Sequence, residues 1–126
     1  MKQVPFNVFG ENEYLYYDIG RLIQVENQTG KSATDIIIKQ DLNLGFITVL
    51  LSVGLRHHGL KSPQWYADKL SDKFSRFEIT LDDVAVPIAK ALIGTGIMGK
   101  QLYYATFPEE LTEKVKNEME TSYKRN

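Results

Sequence analysis

The sequence predicts a mainly α fold: a small helical domain with an N-terminal β-hairpin and a buried central helix. The first observation behind this prediction is the apolar run at residues 42–55, LNLGFITVLLSVGL. Placed on a helical repeat, its apolar side chains cover most of the circumference, so the helix must be buried on several sides. The second observation is a series of helix-start signals along the chain. The third is a pair of short aromatic and β-branched runs near the N-terminus.

The composition is that of an ordinary globular domain. The chain has 126 residues, of which 43% are hydrophobic and 25% charged, and these values suit one domain. Fifteen basic side chains face sixteen acidic ones, so we expect no nucleic-acid partner and no membrane surface. The apolar run at 42–55 is also shorter than the ~18–20 residues that span a bilayer.

Cysteine usage and the N-terminus indicate the compartment. The chain has no cysteine, which excludes disulfides, thiolate catalysis and Cys-ligated zinc. The first residues, MKQVPFNVFGENEY, contain neither the apolar core nor the cleavage site of a secretion signal. The sequence therefore predicts a cytoplasmic protein.

The N-terminal runs at residues 3–9 and 13–17 predict a β-hairpin, because the residues between them include Gly10 and Asn12, which favour turns. Pro5 lacks a backbone donor, so the first run is expected to be an edge strand. A hairpin alone is marginal in water. It must therefore pack on the helices or extend a sheet through another subunit.

Two helices are expected before the central one. Asp18 can cap a helix over residues 19–28 that ends at Gly30. Its inner side is predicted to consist of Ile19, Leu22 and Ile23. Residues 31–40 suit either a short helix capped by Ser32 or a strand, and the helix is favoured.

Two further helices are expected after the central one. Ser62 and Pro63 form a start signal for a helix to about residue 74. Its buried side is predicted to consist of Trp65, Leu70 and Phe74. Thr80 and the acidic residues after it start a helix to about residue 92, in which Pro87 is expected to cause a kink or a delayed start.

The chain is expected to divide near residue 93. Residues 1–93 form the compact part, the hairpin with its helical core. Residues 94–126 are predicted to be a Gly-rich linker and a polar helix from Pro108 to about Tyr123, loosely docked because it has few apolar anchors.

The strongest chemical motif in the sequence is GTGIMGK, which begins at Gly94 and ends at Lys100. It matches the glycine pattern of nucleotide-binding loops, but those loops follow a strand and open a helix. Here a helical pattern precedes it, and Gln101 replaces the Ser or Thr that would hold magnesium. A nucleotide-dependent enzyme is therefore a remote alternative.

The other polar signals have structural explanations. His57 and His58 are adjacent at the end of the central helix, where positive charge suits the helix dipole, and adjacent helical residues cannot easily share a metal ion. Asp82 and Asp83 suit a helix N-terminus. We therefore expect no enzyme, no catalytic residues, no cofactor and no metal site.

The order of elements resembles that of the tail assembly chaperones of long-tailed, siphophage-type bacteriophages and related gene transfer agents. The stretches that carry the resemblance are FGENEYLYYDIGRLIQVENQTG, LLSVGLRHHG and ITLDDVAVPIAKAL. They match the family's strand pair and helix ending in a Glu-x-x-x-Gly segment (Glu26 to Gly30), its buried helix ending in Gly-Leu-Arg (Gly54 to Arg56), and its Thr-led helix (79–92). The resemblance covers about residues 6–93, and residues 94–126 depart from the pattern.

The resemblance implies a non-catalytic protein of the bacterial host cytoplasm that is absent from the mature virion. Such chaperones are thought to coat the tail tape measure protein and to recruit tail tube protein during tail morphogenesis. The expected partners are therefore these two proteins and further copies of the chain in a homo-oligomer. The candidate residues for partner binding and self-association are Tyr14, Tyr16, Phe46, Leu50, Val53, Leu111, Val115 and Met119.

A second hypothesis is a small helical DNA-binding regulator with residues 62–74 as the recognition helix. The charges of that segment are balanced, which does not favour phosphate contacts.

Overall fold

A computed structural model describes residues 2–124, excluding the side chains of Met119 and of residues 121–124. Within this range the chain forms a two-stranded antiparallel hairpin followed by seven α-helices, so the predicted mainly α fold is confirmed. The elements are β1 Val4–Pro5, β2 Tyr14–Leu15, α1 Ile19–Thr29, α2 Ala33–Lys39, α3 Leu44–Gly54, α4 Pro63–Ser75, α5 Leu81–Ile93, α6 Lys100–Thr106 and α7 Glu113–Lys124. Short 3-10 turns cover Arg56–His58 and Pro108–Glu110.

The hairpin is shorter than the sequence pattern indicates, and it packs on the helices. Val4 lies opposite Leu15 and Pro5 opposite Tyr14, and the Phe6 amide extends the pairing to the Glu13 carbonyl at 2.9 Å. Its buried side chains, Val4, Phe6, Leu15 and Tyr17, join the hydrophobic core. A β-sheet shared with another subunit is therefore not needed to support the hairpin.

Helix α3 is the central helix, as predicted. It lies against α1, α4 and α5. Four of its side chains have no exposed surface: Ile47, Leu50, Leu51 and Val53. The helix begins two residues later than the apolar run, because the Asn43 side chain caps it by accepting a hydrogen bond from the Phe46 amide at 2.9 Å.

The predicted capping residues set the starts of the other long helices. The side chains of Asp18 and Ser62 accept hydrogen bonds from the amides three residues ahead, at 2.8 and 3.1 Å. Before α5, the Thr80 amide donates to the Asp83 carboxylate at 2.8 Å. Gly30 ends α1 with a left-handed φ of 70°. Segment 31–40 is helical, and α5 starts at Leu81 and continues through Pro87 without the delayed start considered above.

The buried face of α1 differs from the predicted one. Ile19 and Ile23 are 52% and 50% exposed, whereas Arg21 is only 8% exposed and lies beside buried Leu22 and Val25. The helix is rotated in this way because the Arg21 guanidinium binds the Tyr16 carbonyl just after β2 and the Val53 carbonyl at the end of α3. On α4, the buried residues are Tyr66 and Leu70, and the predicted Trp65 and Phe74 are half-buried.

The packed part of the chain continues beyond residue 93, where the pattern placed its end. An unpredicted helix, α6, follows Gly99, and Phe107 after it is 5% exposed within the core. The Lys2 ammonium contacts the Glu110 carboxylate at 2.8 Å. Pro108 begins a 3-10 turn instead of the last helix, which starts at Glu113.

Candidate functional site

An apolar groove with a volume of about 380 Å³ lies between α2 and α5. Its walls are mostly aliphatic, and only Gln40 and Asp82 contribute polar side chains. The lining residues are Ile36, Ile37, Gln40, Leu42, Asp82, Ala85, Val86, Ala89, Leu92 and Ile93. We refer to this surface as the α2/α5 groove.

The local sequence explains why the groove is open. Ala85 and Ala89 lie one helical turn apart on α5, so two small side chains face the space where larger ones would pack. Gln40 adopts a left-handed φ of 50° and ends α2, which turns the chain towards Leu42 at the edge of the groove. The groove is therefore an apolar surface with an exposed carboxylate, that of Asp82, near the start of α5.

A second cavity of about 300 Å³ lies between the start of the chain, α5 and the segment after α6. It is more polar, because Lys2, Lys90 and Glu109 line it together with Pro5 and Phe107. The Lys2 ammonium lies 4.8 Å from the centre of the Phe107 ring. The Lys2 ammonium also donates a hydrogen bond to the Glu110 carboxylate, which lowers the pKa of that carboxyl group. This cavity is bordered by contacts that hold the N-terminus to the segment after α6.

A polar cluster joins the hairpin to the end of α3. The Arg21 Nη1 donates to the carbonyls of Tyr16 at 3.0 Å and Val53 at 3.4 Å, and it lies 2.9 Å from Nδ1 of His57. Burial lowers the pKa of Arg21, with repulsion from Arg56 adding to the effect. The Arg21 Nε is buried without a hydrogen-bond partner among residues 2–124.

The two histidines contact the hairpin backbone. Nε2 of His57 lies 2.9 Å from the Tyr14 carbonyl, and the Tyr14 amide donates to Nε2 of His58 at 3.0 Å. The Tyr14 ring stacks on His57 with a centroid distance of 4.4 Å. Desolvation lowers the pKa of His57, and the charges of His58 and Arg21 lower it further. Both histidines thus bind the hairpin. In the described part of the chain, no group of three or more His, Asp or Glu residues could hold a metal ion.

The candidate residues from the sequence lie in three different places. Tyr14 and Tyr16 are half-buried in the polar cluster, where the Arg21 guanidinium lies 4.9 Å from the Tyr16 ring. Phe46 is half-buried against the core. Leu50 and Val53 have no exposed surface. These two residues therefore stabilise the fold and, in this conformation, have no surface for a partner.

The C-terminal candidates are not brought together with the others. Leu111 and Val115 are half-buried, and the remaining described side chains of α7 are exposed. The Met119 side chain lies outside the described residues. None of the candidate residues lines the α2/α5 groove.

The glycine motif lacks the context of a phosphate loop. The stretch from Gly94 to Lys100 follows helix α5, and Gly96 and Gly99 have positive φ values in the turn before α6. Helix α6 has only seven residues. In the segment 62–74, which the second hypothesis treats as a recognition helix, the Lys73 ammonium contacts the Glu78 carboxylate at 3.5 Å, and the Asp72 carboxylate contacts Arg76, just after α4, at 3.1 Å.

The sequence interpretation missed the groove residues and Arg21. The available signal for the groove is the Ala85 and Ala89 pair, two small side chains one helical turn apart. Arg21 gave no signal, because an arginine between apolar residues usually lies on the exposed face of a helix. Its burial is explained by its partners in the folded chain, which are the Tyr16 and Val53 carbonyls and the His57 ring.

None of the described helices combines the length and apolar character needed to cross a membrane. Comparisons with protein-family models, with curated proteins and with solved structures return no match.

Proposed function

We propose that the chain is a non-catalytic tail assembly chaperone that binds the tape measure protein and recruits tail tube protein during tail morphogenesis. Two observations support this proposal. One is the resemblance in the order of capped helices and hairpin over residues 6–93. The other is the α2/α5 groove, which is an open, mostly aliphatic surface.

The groove carries the proposal because its chemistry suits a helical client. An amphipathic helix binds by placing apolar side chains at successive turns into a hydrophobic groove. The small side chains of Ala85 and Ala89 allow a helix to approach α5 closely, and the aliphatic walls exclude water from its apolar stripe. A long helical tape measure protein offers such stripes repeatedly, and it requires them to be covered before the tail tube surrounds it.

The C-terminal segment provides a surface for the second partner in this proposal. Helix α7 is polar, and its described side chains are exposed except for half-buried Val115. A helix of this kind is available to contact tail tube protein while the groove holds the client. Self-association in the host cytoplasm, with absence from the mature virion, belongs to the same proposal.

Co-expression with the tape measure protein of the same genome tests the groove. The wild-type chain should raise the soluble yield of that client. Ala89→Glu places a charge in the apolar groove, and we expect this variant to lose the increase. Ala89→Leu fills the same space without a charge, and it should also lose most of the increase.

Leu81→Glu is the matched control, because Leu81 lies on the same helix, is 48% exposed and is not a groove-lining residue. It should retain the wild-type effect on the client. Circular dichroism establishes that all three variants are folded. Equal soluble yields with wild type, A89E and A89L would contradict the proposal, as would no increase with wild type.

A further inference from the structure

The outer edge of β2 is covered by two imidazole rings. Tyr14 lies opposite Pro5, which has no amide, and its own backbone N–H and C=O face away from β1. The N–H donates to His58 Nε2 at 3.0 Å, and the C=O lies 2.9 Å from His57 Nε2. The next amide on this edge, that of Tyr16, donates to the Gly54 carbonyl at 3.0 Å. At Tyr14, side chains therefore take the place of a neighbouring strand for both backbone groups, and at Tyr16 the Arg21 guanidinium binds the carbonyl at 3.0 Å.

These contacts require a single neutral tautomer of each ring. Nδ1 of His57 lies 2.9 Å from the Arg21 guanidinium, which is always a donor, so Nδ1 must accept. The proton of His57 is then on Nε2, where the Tyr14 carbonyl accepts it. Nε2 of His58 accepts the Tyr14 N–H, so the proton of His58 is on Nδ1.

We propose that His57 and His58 form a protonation-controlled latch, which holds the edge of β2 against the end of α3 at neutral pH and releases it in acid. A second proton on His57 is added to Nδ1, directly facing the Arg21 donor. A second proton on His58 is added to Nε2, directly facing the Tyr14 N–H. Each protonation therefore replaces a hydrogen bond with two opposed donors.

The charges around the rings favour opening on protonation. Arg21 faces them from α1, Arg56 belongs to the same 3-10 turn, and the two rings lie 4.1 Å apart. The nearby carboxylate, that of Asp18, accepts from the Arg21 backbone amide. Tyr14 on β2 and Tyr16 just after it place aromatic rings against His57. Among residues 2–124 no carboxylate forms an ion pair with either histidine, so nothing described here compensates the added charge in the closed state.

Release exposes an unpaired backbone donor and acceptor at Tyr14. An exposed strand edge of this kind is a template for an added strand. The latch is independent of the proposed function, because it involves neither the α2/α5 groove nor α7.

Nuclear magnetic resonance of the full chain tests the latch directly. Long-range ¹H–¹⁵N spectra at about pH 7.5 should show the Nε2–H tautomer for His57 and the Nδ1–H tautomer for His58. Amide exchange is then followed down to about pH 5, across the ordinary histidine pKa of ~6.5. The Tyr14 protection factor should fall about fivefold or more, the effect of one lost hydrogen bond. The Tyr16 protection factor is the internal control and should change much less.

Variants separate the latch from general acid destabilisation. His58→Gln keeps an acceptor for the Tyr14 amide but cannot be protonated, so Tyr14 protection should lose most of its pH dependence. His58→Ala should leave Tyr14 poorly protected at both pH values, with Tyr16 little changed. The opposite tautomers, or Tyr14 protection that stays constant in the wild type from pH ~7.5 to ~5, would overturn the proposal.

Discussion

At the residue scale, Gly54 allows the end of α3 to approach the hairpin closely. A Cβ atom on Gly54 would lie 2.5 Å from the Tyr17 hydroxyl oxygen and 3.0 Å from a Leu15 methyl carbon. The Tyr17 hydroxyl donates to the Leu50 carbonyl at 2.6 Å, and burial strongly raises its pKa. Because Gly54 has no side chain, the hairpin can pack directly against the end of α3.

Gly54→Ala should therefore reduce the free energy of unfolding by about 1–3 kcal/mol, the range for overpacking a core. Gly45→Ala is the matched control on the same helix, because the nearest atom to its new Cβ is 3.4 Å away. That substitution should raise the free energy of unfolding by ~0.5–1 kcal/mol through helix propensity. Urea titration measures both, and equal effects at the two positions would exclude the close contact as the cause.

Global stability should also depend on the protonation of His57. Because its pKa in the folded chain is below the ordinary value of ~6.5, the unfolded chain binds more protons between the two values. The contribution of His57 to stability is therefore present above pH ~6.5 and is lost as the pH falls through the folded pKa. Urea titrations at several pH values should show a shallower decline for His57→Gln than for wild type. A steeper decline in the variant would contradict the assignment.

At the element scale, the local signals in the sequence located helix starts well and helix faces less well. Capping by Asp18, Ser62 and Thr80 depends on side chains within three residues, so a short sequence window contains the needed information. The face of α1 depends on the Tyr16 carbonyl and on the Val53 carbonyl, which the tertiary fold brings to Arg21. The pattern of apolar residues therefore predicted the burial of Leu22 correctly but was wrong for Ile19 and Ile23.

The segment after α5 shows the same limit. Its glycines indicate a linker, but α6 forms because Phe107 is buried by residues far away in the chain. Proline suits the first turn of a helix, and Pro108 does begin a short helical turn. That turn is a 3-10 turn that ends at Glu110, and α7 starts separately at Glu113. Apolar side chains in a polar segment can thus anchor a helix that local propensity does not indicate.

Phe107→Ala should reduce the free energy of unfolding by about 3–5 kcal/mol, because it empties a buried aromatic site. Leu102→Ala on α6, the helix that Phe107 follows, is the control, and it should change stability by no more than ~0.5–1 kcal/mol since Leu102 is 38% exposed. Thermal unfolding followed by circular dichroism compares the two. A negligible effect of F107A would mean that the compact part ends near residue 93 after all.

At the scale of the whole molecule, the central helix was predictable and the groove was not. The run at 42–55 contains more apolar residues than one buried face of an amphipathic helix needs, so its burial follows from the sequence alone. The α2/α5 groove forms where Ile36 and Ile37 face Ala85 and Ala89, across almost fifty residues of chain. Its existence depends on how α2 packs against α1 and α5 in the folded chain, and a one-dimensional pattern does not contain that arrangement.

Removal of residues 112–126 separates folding from recruitment. The described side chains of α7 are exposed except for half-buried Val115, so the truncated chain should keep its free energy of unfolding within ~1 kcal/mol. It retains the groove residues and should still raise the soluble yield of the tape measure protein. Under the proposed function the truncated chain should bind the client but no longer co-purify tail tube protein with it. The Ala89→Glu variant, by contrast, should fail to bind the client itself. Recruitment of tube protein by the truncated chain would assign that contact to the packed domain, because residues 2–111 would then be sufficient for both partners.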